Sequence, residues 1–327
     1  MHGAAETVSV AVRRPWRAAR IDHAAAPTFL LGPARSGTSL LYRALCLHPD
    51  TTYISNYVRR LPRLPEAAAL NRLPRRLPER QRSAWFSEGS NAYVYGTERT
   101  YTQRWLPAPV EGEPVFGACG IPQFPDDAAR PHHEQVLRLR RAFARLSFAD
   151  GRRRIISKRI AHNRRIPLLY AAFPSTRFVS LVRDGRAVAA SLSKVDWWLD
   201  DRVWWYGGTP RKWAAEGGNP WEICARNWVE ELRAIESGLA DVPAVQVLSL
   251  RYEDFMTAPT ETLIRIAAYI GLDGADRAWL ARLEHIQFPN QAGDWRHSLA
   301  AEDVRTIETW QADLLDVFGY SGSPSPG

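Results

Sequence analysis

Residues 30–41, LLGPARSGTSLL, combine residue types and spacing suited to binding an anion. Gly32 and Gly37 bracket a short loop between an apolar run and a segment with helical spacing. Backbone N–H groups in such a loop point at a bound anion, and the N-terminus of the following helix favours negative charge. Arg35 adds a cation, and three hydroxyls add further donors: Ser36, Thr38 and Ser39. The loop therefore predicts a phosphate-binding site.

The loop differs from that of a nucleotide triphosphatase at one position. Enzymes of that kind place a lysine directly after the second glycine, where it reaches the terminal phosphates. This chain has Thr38 there, and its cation, Arg35, precedes Gly37 by two residues. Taken alone, the loop leaves open an ordinary strand–turn–helix connection with a serine at the helix cap.

A second cluster lies in the stretch VRDGRAVAASL, residues 182–192. Arg183 follows an apolar run that reads as a strand, and open α/β sheets bind ligands at the carboxyl ends of their strands. Ser191 lies eight residues later on the next helix, which can return its hydroxyl to the strand end. An arginine and a hydroxyl arranged in this way can bind a second phosphate.

Strands and helices alternate along the chain, and this order positions both clusters. Short apolar runs predict strands, and helical spacing predicts the helices between them. The predicted strands are 28–32, 153–157, 177–182 and 244–250; the predicted helices are 37–48, 133–148, 164–174, 185–195, 220–239, 260–272 and one from about 302. The alternation predicts an α/β fold: a three-layer, P-loop-like domain whose central, mainly parallel β-sheet is flanked by helices.

The composition is that of a globular protein, with 327 residues, 45% hydrophobic and 24% charged. No apolar run approaches the roughly 20 residues that a bilayer span requires, so we expect no transmembrane segment. The formal charge is +8, and only three of the 43 basic residues are lysines: Lys158, Lys194 and Lys212. Because an ammonium group is a compact point charge that arginine cannot imitate, each lysine is a candidate for a specific role.

The cysteines suggest neither a disulfide framework nor a zinc site, since Cys46, Cys119 and Cys224 lie far apart without a CxxC pair. They predict buried thiols and a cytoplasmic protein. The sequence offers no convincing set of metal ligands, so we expect a metal-free site.

Residues 59–82 are basic and interrupted by prolines. Three interpretations of this segment are considered: a peripheral membrane contact, a nucleic-acid contact and a solvated connection. The solvated connection is favoured, and no nucleic-acid partner is expected.

Together the two clusters resemble those of the sulfotransferases that use PAPS (3′-phosphoadenosine 5′-phosphosulfate). GPARSGTSLL resembles that family's 5′-phosphosulfate loop, and FVSLVRDGRAVAASL resembles its 3′-phosphate motif. Similar family stretches match ISKRIAHNRRIPLLYAAFP, VLSLRYEDFMTAPTETLIRIAAYIGL and GDWRHSLAAEDVRTIE. The resemblance implies a single domain over 27–320, with acceptor-binding insertions at about 51–150 and 195–220. Segments 1–26 and 321–327 are expected to be flexible.

The resemblance implies roles for individual residues in binding PAPS as co-substrate. Arg35 and the loop residues that follow it, Ser36, Gly37, Thr38 and Ser39, would bind the 5′-phosphosulfate. Arg183 and Ser191 would bind the 3′-phosphate, with Arg296 of GDWRHS as a further basic residue. Tyr252 is a candidate adenine contact, although a half-buried sheet tyrosine is the alternative.

Sulfuryl transfer moves SO₃ to a hydroxyl or amine and leaves charge on the departing phosphate oxygen, where preorganised cations help. Lys158 matches the family's strand-end lysine, and Arg35 is the second cation. A general base would help to deprotonate the acceptor. Several relatives have a glutamate where this chain has Ser55–Asn56, and others have a histidine where it has Ile160. The base stays unassigned; His162 is the first candidate, and the others are Glu88, His132 and His133.

The acceptor is expected to be a small molecule, a lipid or a sugar, and the oligomeric state stays open. Tryptophans cluster between residues 197 and 221, where they either line an acceptor cleft or pack a lid over the core. Two other functions are considered: a P-loop kinase or NTPase, and a non-enzymatic basic module that binds anions.

Overall fold

The computed structural model describes residues 26–86, 105–124, 132–288, 293 and 295–321. Most of the two segments predicted to be flexible, and the candidate base Glu88, lie outside these residues.

A five-stranded parallel sheet forms the centre of the molecule. Its strands are β1 (Thr28–Leu31), β2 (Thr51–Tyr53), β3 (Arg154–Lys158), β4 (Arg177–Val182) and β5 (Val247–Arg251), in the spatial order β2-β3-β1-β4-β5. Leu30 of β1 lies opposite Lys158 on one side and Val179 on the other, and Val182 lies opposite Arg251. The carboxyl ends of β3, β1, β4 and β5 therefore lie side by side. The predicted α/β fold is confirmed.

Strand β2 is absent from the sequence prediction. It has three residues, and two of them, Thr51 and Thr52, are polar, so it does not form an apolar run. Both threonines are nevertheless buried, and the Thr51 hydroxyl donates to the carbonyl oxygens of Leu45 (3.2 Å) and His48 (2.8 Å). These hydrogen bonds offset the cost of burying the Thr51 hydroxyl, whereas the Thr52 hydroxyl has no partner among the described residues.

Helices cover both faces of the sheet and its flanks. The α-helices are α1 (Thr38–Cys46), α2 (Asn56–Arg60), α3 (Arg72–Arg75), α4 (Pro78–Phe86), α5 (Glu113–Ala118), α6 (His133–Asp150), α7 (Ile166–Ala172), α8 (Gly185–Leu192), α9 (Pro210–Ala215), α10 (Pro220–Leu239), α11 (Tyr252–Thr257), α12 (Pro259–Tyr269), α13 (Arg277–Leu283), α14 (Trp295–Ser298) and α15 (Ala301–Val317). Short 3₁₀ helices span Pro65–Asn71, Ile160–Arg164, Asp196–Asp200 and Ala244–Gln246.

The three layers follow from the alternation of side chains along the strands. In β1, Phe29 and Leu31 pack on one face in a cluster that includes Phe143 of α6 and Trp228 of α10. Leu30, between them, packs on the opposite face with residues of α1 and α12. Since all of β1 is buried, the sheet is covered on both sides, as parallel sheets require.

The three cysteines are free and buried, as the sequence predicts. Burial raises the pKa of the Cys119 thiol to about 11 and that of Cys224 to about 12. None of the helices among the described residues is both long and apolar enough to cross a membrane.

Residues 59–82 are mostly helical. They form the end of α2, the 3₁₀ helix Pro65–Asn71, α3 and part of α4. Asn71 is buried and donates a hydrogen bond of 2.9 Å to the carbonyl oxygen of Tyr53 in β2. The segment is thus fixed to the edge of the sheet, while most of its arginine side chains are exposed to solvent.

Candidate active site

The glycine loop leaves the carboxyl end of β1 with an unusual backbone. Gly32, Arg35 and Gly37 have φ angles of 145°, 67° and 85°, a region that favours glycine. A Cβ at Gly32 would lie 2.4 Å from the carbonyl oxygen of Leu181 in β4, so only glycine fits this close approach. The sign of φ alternates along the loop. Such an alternation turns successive N–H groups to the same side, as in an anion-binding nest.

A buried polar network fixes the start of the loop. Asn163 accepts a hydrogen bond from the Gly32 N–H (3.1 Å) and donates to its carbonyl oxygen (3.0 Å). The same amide donates to Glu231 at 2.6 Å, and Glu231 also accepts from Arg164 and Trp204. Burial raises the pKa of Glu231, while Arg164 opposes that rise. The network holds the loop against α10.

The loop presents backbone donors that the described residues leave unused. Leu40 and Leu41 donate to the carbonyl oxygen of Gly37, which closes the first turn of α1. Among the described residues, the N–H groups of Gly37, Thr38 and Ser39 have no backbone acceptor. Such groups at a helix N-terminus are the ones that bind phosphate.

The side chains of this loop differ in their access to solvent. Arg35 and Ser39 are partly exposed, whereas Ser36 and Thr38 are buried. The hydroxyl of Ser36 is buried and has no hydrogen-bond partner among the described residues. Exposed donors for an anion are therefore the backbone, Ser39 and Arg35.

The two predicted phosphate clusters lie in direct contact. The Arg183 guanidinium donates to the carbonyl oxygen of Arg35 at 3.1 Å. The Arg35 guanidinium in turn donates to the hydroxyl of Ser191 at 2.9 Å. Burial lowers the pKa of Arg183, and the nearby Arg35 adds to that effect. The structure thus brings together residues that are about 150 positions apart in the chain, 148 for one contact and 156 for the other.

Tyr252 lies beneath the loop. A Cβ at Gly37 would lie 2.6 Å from Cδ2 of this ring, and the Arg183 guanidinium carbon lies 4.5 Å from the ring centroid. The side chain is only 4% exposed. Tyr252 is buried and is the first residue of α11, so it is not the half-buried sheet tyrosine of the alternative; its contacts support the loop and Arg183.

Arg296 lies on α14 and is less directly connected to the site. Its guanidinium packs on Trp295, 4.8 Å from a ring centroid. Trp295 is buried in a cluster that contains Ala34 of the loop and Ala187 and Ala190 of α8. No hydrogen bond joins Arg296 to Arg183 or Ser191 among the described residues, so the structure brings its helix to the site but not the guanidinium into contact.

Lys158 ends β3 beside the loop, as the sequence predicts, and it forms an ion pair with Glu111. Its side chain is 4% exposed, whereas that of Glu111 is 35% exposed. Glu111 also accepts a hydrogen bond from the Ile160 N–H at 3.3 Å. A bridge between Ser55 and Pro109 positions the segment that leads to Glu111. Glu111 thus follows by two residues the partner of Ser55 in this bridge.

His162 lies in the core. Its Nε2 atom is 2.9 Å from the Ser157 hydroxyl, and its ring packs edge-on against Phe29 and Phe116. Burial lowers the pKa of His162 well below its ordinary value, and Arg159 and Lys158 add to this shift. Because the ring is 0% exposed, its surroundings favour packing over proton transfer to an acceptor. His132 and His133 are exposed at the start of α6.

A cleft of about 560 Å³ adjoins the loop. Its wall includes Ala34 from the loop and Glu111 beside Lys158. Aromatic side chains supply much of its apolar surface: Phe124, Trp197, Trp198 and Trp204. Other tryptophans pack instead of lining the cleft, since Trp205 and Trp213 lie beside Arg226. Members of the tryptophan cluster therefore divide between the wall of the cleft and packing beside Arg226.

Sequence reasoning missed three residues of the site: Glu111, Asn163 and Glu231. Asn163 follows His162 in a stretch that resembles the family, but an asparagine carries no signal of its own. Glu111 and Glu113 form an acidic pair, EGEP, and the structure pairs them with the neighbouring Lys158 and Arg159. A pair of closely spaced glutamates and a pair of adjacent cationic residues is the sequence signal that could have identified Glu111.

Comparisons of this chain with known proteins point to one family. A model of the sulfotransferase family matches residues 27–276. The omega-hydroxy-beta-dihydromenaquinone-9 sulfotransferase Stf3 of Mycobacterium bovis is 23% identical over 335 aligned positions, which cover 92% of this chain and 77% of the relative.

Solved structures agree in fold. Sulfotransferase STF9 from Mycobacterium avium matches with a TM-score of 0.58 and 16% identity, covering 91% of this chain and 78% of that one. Sulfotransferase STF1 from Mycobacterium tuberculosis H37Rv matches with a TM-score of 0.57 and 19% identity, covering 91% and 80%. The chain therefore belongs to the sulfotransferase family and is an enzyme of that class.

Proposed function

We propose that this enzyme transfers a sulfuryl group from PAPS to a hydroxyl or amine of a small-molecule, lipid or sugar acceptor. The observation that carries the proposal is the contact of Arg35 with both Arg183 and Ser191. It places a second cationic site next to a loop that offers unused N–H groups. Two adjacent anion sites suit a nucleotide with phosphate on both sides of one ribose, whereas ATP carries its phosphates in a single chain.

The loop and the second site would divide the donor between them. The N–H groups of Gly37, Thr38 and Ser39 would bind the 5′-phosphosulfate, where the helix N-terminus favours negative charge. Arg183 and Ser191 would bind the 3′-phosphate, since arginine matches a phosphate with two parallel donors. A phosphate placed beside Arg183 and Arg35 would also offset the mutual repulsion of these two cations.

Lys158 and Glu111 would act on the transferring group. The acceptor oxygen forms a bond to sulfur while the bond from sulfur to the phosphate oxygen breaks, and the bisphosphate leaves with the electron pair. Lys158 would stabilise the charge on that oxygen, and Glu111 would take the acceptor proton. The ion pair supports this division, because it holds the Lys158 ammonium beside Glu111, a carboxylate that lines the cleft.

The cleft would hold the acceptor. Residues from both predicted insertions line it, among them Glu111, Phe124 and Trp204, which supports their role in binding the acceptor. The aromatic lining suits an acceptor with an apolar or flat body. The name of the mycobacterial relative describes a sulfotransferase for a hydroxylated menaquinone, and a lipid alcohol is the acceptor class that this lining fits best.

Calorimetry with 3′,5′-ADP, 5′-AMP and ATP tests the donor class. We expect 3′,5′-ADP to bind tighter than both others. Arg183→Ala should weaken 3′,5′-ADP by about 10- to 100-fold, because charge-assisted hydrogen bonds are lost, and should hardly affect 5′-AMP. Arg177→Ala, at the opposite end of the same strand β4, is the matched control and should leave the ratio unchanged.

Two results would contradict the donor assignment. One is a preference for ATP over 3′,5′-ADP, which would favour the kinase-like alternative. The other is an Arg183→Ala variant whose ratio of 3′,5′-ADP to 5′-AMP affinity equals that of the unmodified enzyme.

A search by mass spectrometry for acceptors that gain one SO₃ group tests the reaction. With an acceptor in hand, Glu111→Gln should lower kcat by about 10²- to 10⁴-fold while 3′,5′-ADP affinity is kept. Glu113→Gln, which neutralises the next carboxylate of the same segment, should have a smaller effect. If His162→Asn abolishes transfer and Glu111→Gln does not, His162 is the base and the assignment to Glu111 is wrong.

A further inference from the structure

Residues 60–80 present a surface on which leucines and arginines alternate. Five leucines each expose between 37% and 49% of their area: Leu61, Leu64, Leu70, Leu73 and Leu77. They are five of the eleven exposed large hydrophobic side chains among the described residues, yet they fall within 17 positions of the chain. We call this surface, residues 60–80, the leucine–arginine face. Exposed apolar side chains concentrated in this way mark a binding surface.

The local helix geometry turns these leucines outward. Residues three apart eclipse one another in a 3₁₀ helix. The buried residues Pro65, Ala68 and Asn71 of the 3₁₀ helix and Pro74 of the adjoining helix α3 are spaced by three and form one ridge against the core. Side chains between the members of this ridge, such as Leu70 and Leu73, therefore point away from the core. Their exposure is set by the backbone and does not depend on a loose loop.

The charges on this face are mostly positive. Its exposed charged residues are five arginines, Arg60, Arg63, Arg72, Arg76 and Arg80, and one carboxylate, Glu79. Glu66, also in this segment, is partly buried and is already paired with Arg145. The face thus offers cations and apolar groups together, with little internal neutralisation.

We propose that the leucine–arginine face docks on an anionic lipid membrane. An anionic bilayer supplies both complements at once, negative headgroups for the arginines and an acyl boundary for the leucines. A nucleic acid would satisfy the arginines but leave five leucines in water. Only a partner that carries both negative charge and an apolar region can contact the arginines and the leucines together.

The position of the face connects docking to the cleft. Arg59, next to Arg60 at the end of α2, lines the cleft beside the glycine loop. A protein docked through this face holds the cleft near the membrane surface, where a lipid acceptor would enter. That last step rests on the proposed function, whereas the docking itself does not.

Sedimentation of the full chain with lipid vesicles tests the proposal. We expect binding to vesicles of phosphatidylcholine mixed with phosphatidylglycerol and little binding to phosphatidylcholine alone. Because attraction between exposed charges is screened by salt, binding should fall as ionic strength rises. Competition by mixed-sequence duplex DNA measures the alternative partner in the same assay.

Paired substitutions separate the two kinds of contact. Arg76→Gln with Arg80→Gln should weaken vesicle binding by about 25-fold, about fivefold for each arginine. Leu70→Gln with Leu73→Gln should weaken it by about tenfold. The matched control is Val245→Gln with Val317→Gln, two residues that are 74% and 73% exposed elsewhere on the surface. The control should bind vesicles as the unmodified chain does.

Three outcomes would overturn the proposal: equal binding to neutral and anionic vesicles, a leucine variant that binds as well as the control, or binding to DNA without binding to vesicles. Circular dichroism checks that each variant is folded. Affinity for 3′,5′-ADP should be unchanged in all of them, so failure of docking and failure of the proposed donor site give different results.

Discussion

Replacing Gly37 by alanine tests whether the loop has the backbone that the site requires. Gly37 has a φ of +85°, which L-residues with a side chain rarely adopt. An added Cβ would lie 2.6 Å and 2.7 Å from the Cδ2 and Cε2 atoms of Tyr252. The ring cannot easily move away, since the Arg183 guanidinium lies 4.5 Å from its centroid.

The cost can be estimated from these two effects. The left-handed backbone costs roughly 1–2 kcal/mol for alanine, and overpacking against Tyr252 costs about 1–3 kcal/mol. The lower entropy of the unfolded chain returns roughly 0.4–1 kcal/mol. Gly37→Ala should therefore lower the free energy of unfolding by about 1–5 kcal/mol and weaken binding of 3′,5′-ADP, because the N–H groups of the loop shift.

Urea unfolding and calorimetry measure the two quantities. Gly117→Ala is the matched control: Gly117 lies in helix α5, has no positive φ, and an added Cβ would meet no atom within 4 Å. Alanine there should stabilise the protein by roughly 0.5–1 kcal/mol. In a Tyr252→Ala background, the penalty of Gly37→Ala should shrink towards the backbone cost alone.

The reasoning is refuted if Gly37→Ala unfolds at the same urea concentration as Gly117→Ala and binds 3′,5′-ADP normally. If the penalty is equally large without the Tyr252 ring, the steric part of the estimate is wrong and the backbone part remains.

Two further predictions concern buried groups. Burial lowers the pKa of His162, so below about pH 6.5 the unfolded chain binds a proton that the folded chain does not. The stability that neutral His162 contributes is therefore complete above about pH 6.5. It is lost as pH falls towards the folded pKa, by up to about 1.4 kcal/mol per pH unit. Urea unfolding between about pH 8 and pH 5 should show a shallower decline for His162→Asn, and parallel curves would show that other groups cause the decline. Arg75 pairs with Asp150, which is buried, so Arg75→Ala should cost about 3–5 kcal/mol by leaving that carboxylate unpaired. Arg211→Ala, which breaks an exposed pair with Asp200, should leave the free energy of unfolding nearly unchanged in the same experiment, and equal effects of the two substitutions would contradict the argument.

The sequence by itself determined the parts of this protein that depend on neighbouring residues. Gly32 and Gly37 mark the loop because a Cβ at either position would clash with Leu181 or Tyr252, and apolar runs mark four of the five strands. The place of Lys158 and Arg183 at strand ends follows from the strands, because the carboxyl ends of parallel strands share one edge of the sheet. Strand β2 escaped prediction because two of its three residues are polar threonines, and only the packed structure shows that both are buried.

Only the tertiary structure decided which distant groups meet. Glu111 reaches Lys158 across 47 positions, because a segment without its own sequence pattern is held beside Ser55 by a bridge. His162 has the residue type of a base, but Phe29 and Phe116 enclose it, and no local pattern records that enclosure. The leucines of residues 60–80 face outward for a related reason: buried residues spaced by three, in a 3₁₀ helix and the short α3, pack towards the core instead. Periodicity along a chain specifies elements, whereas partners are set by how those elements pack.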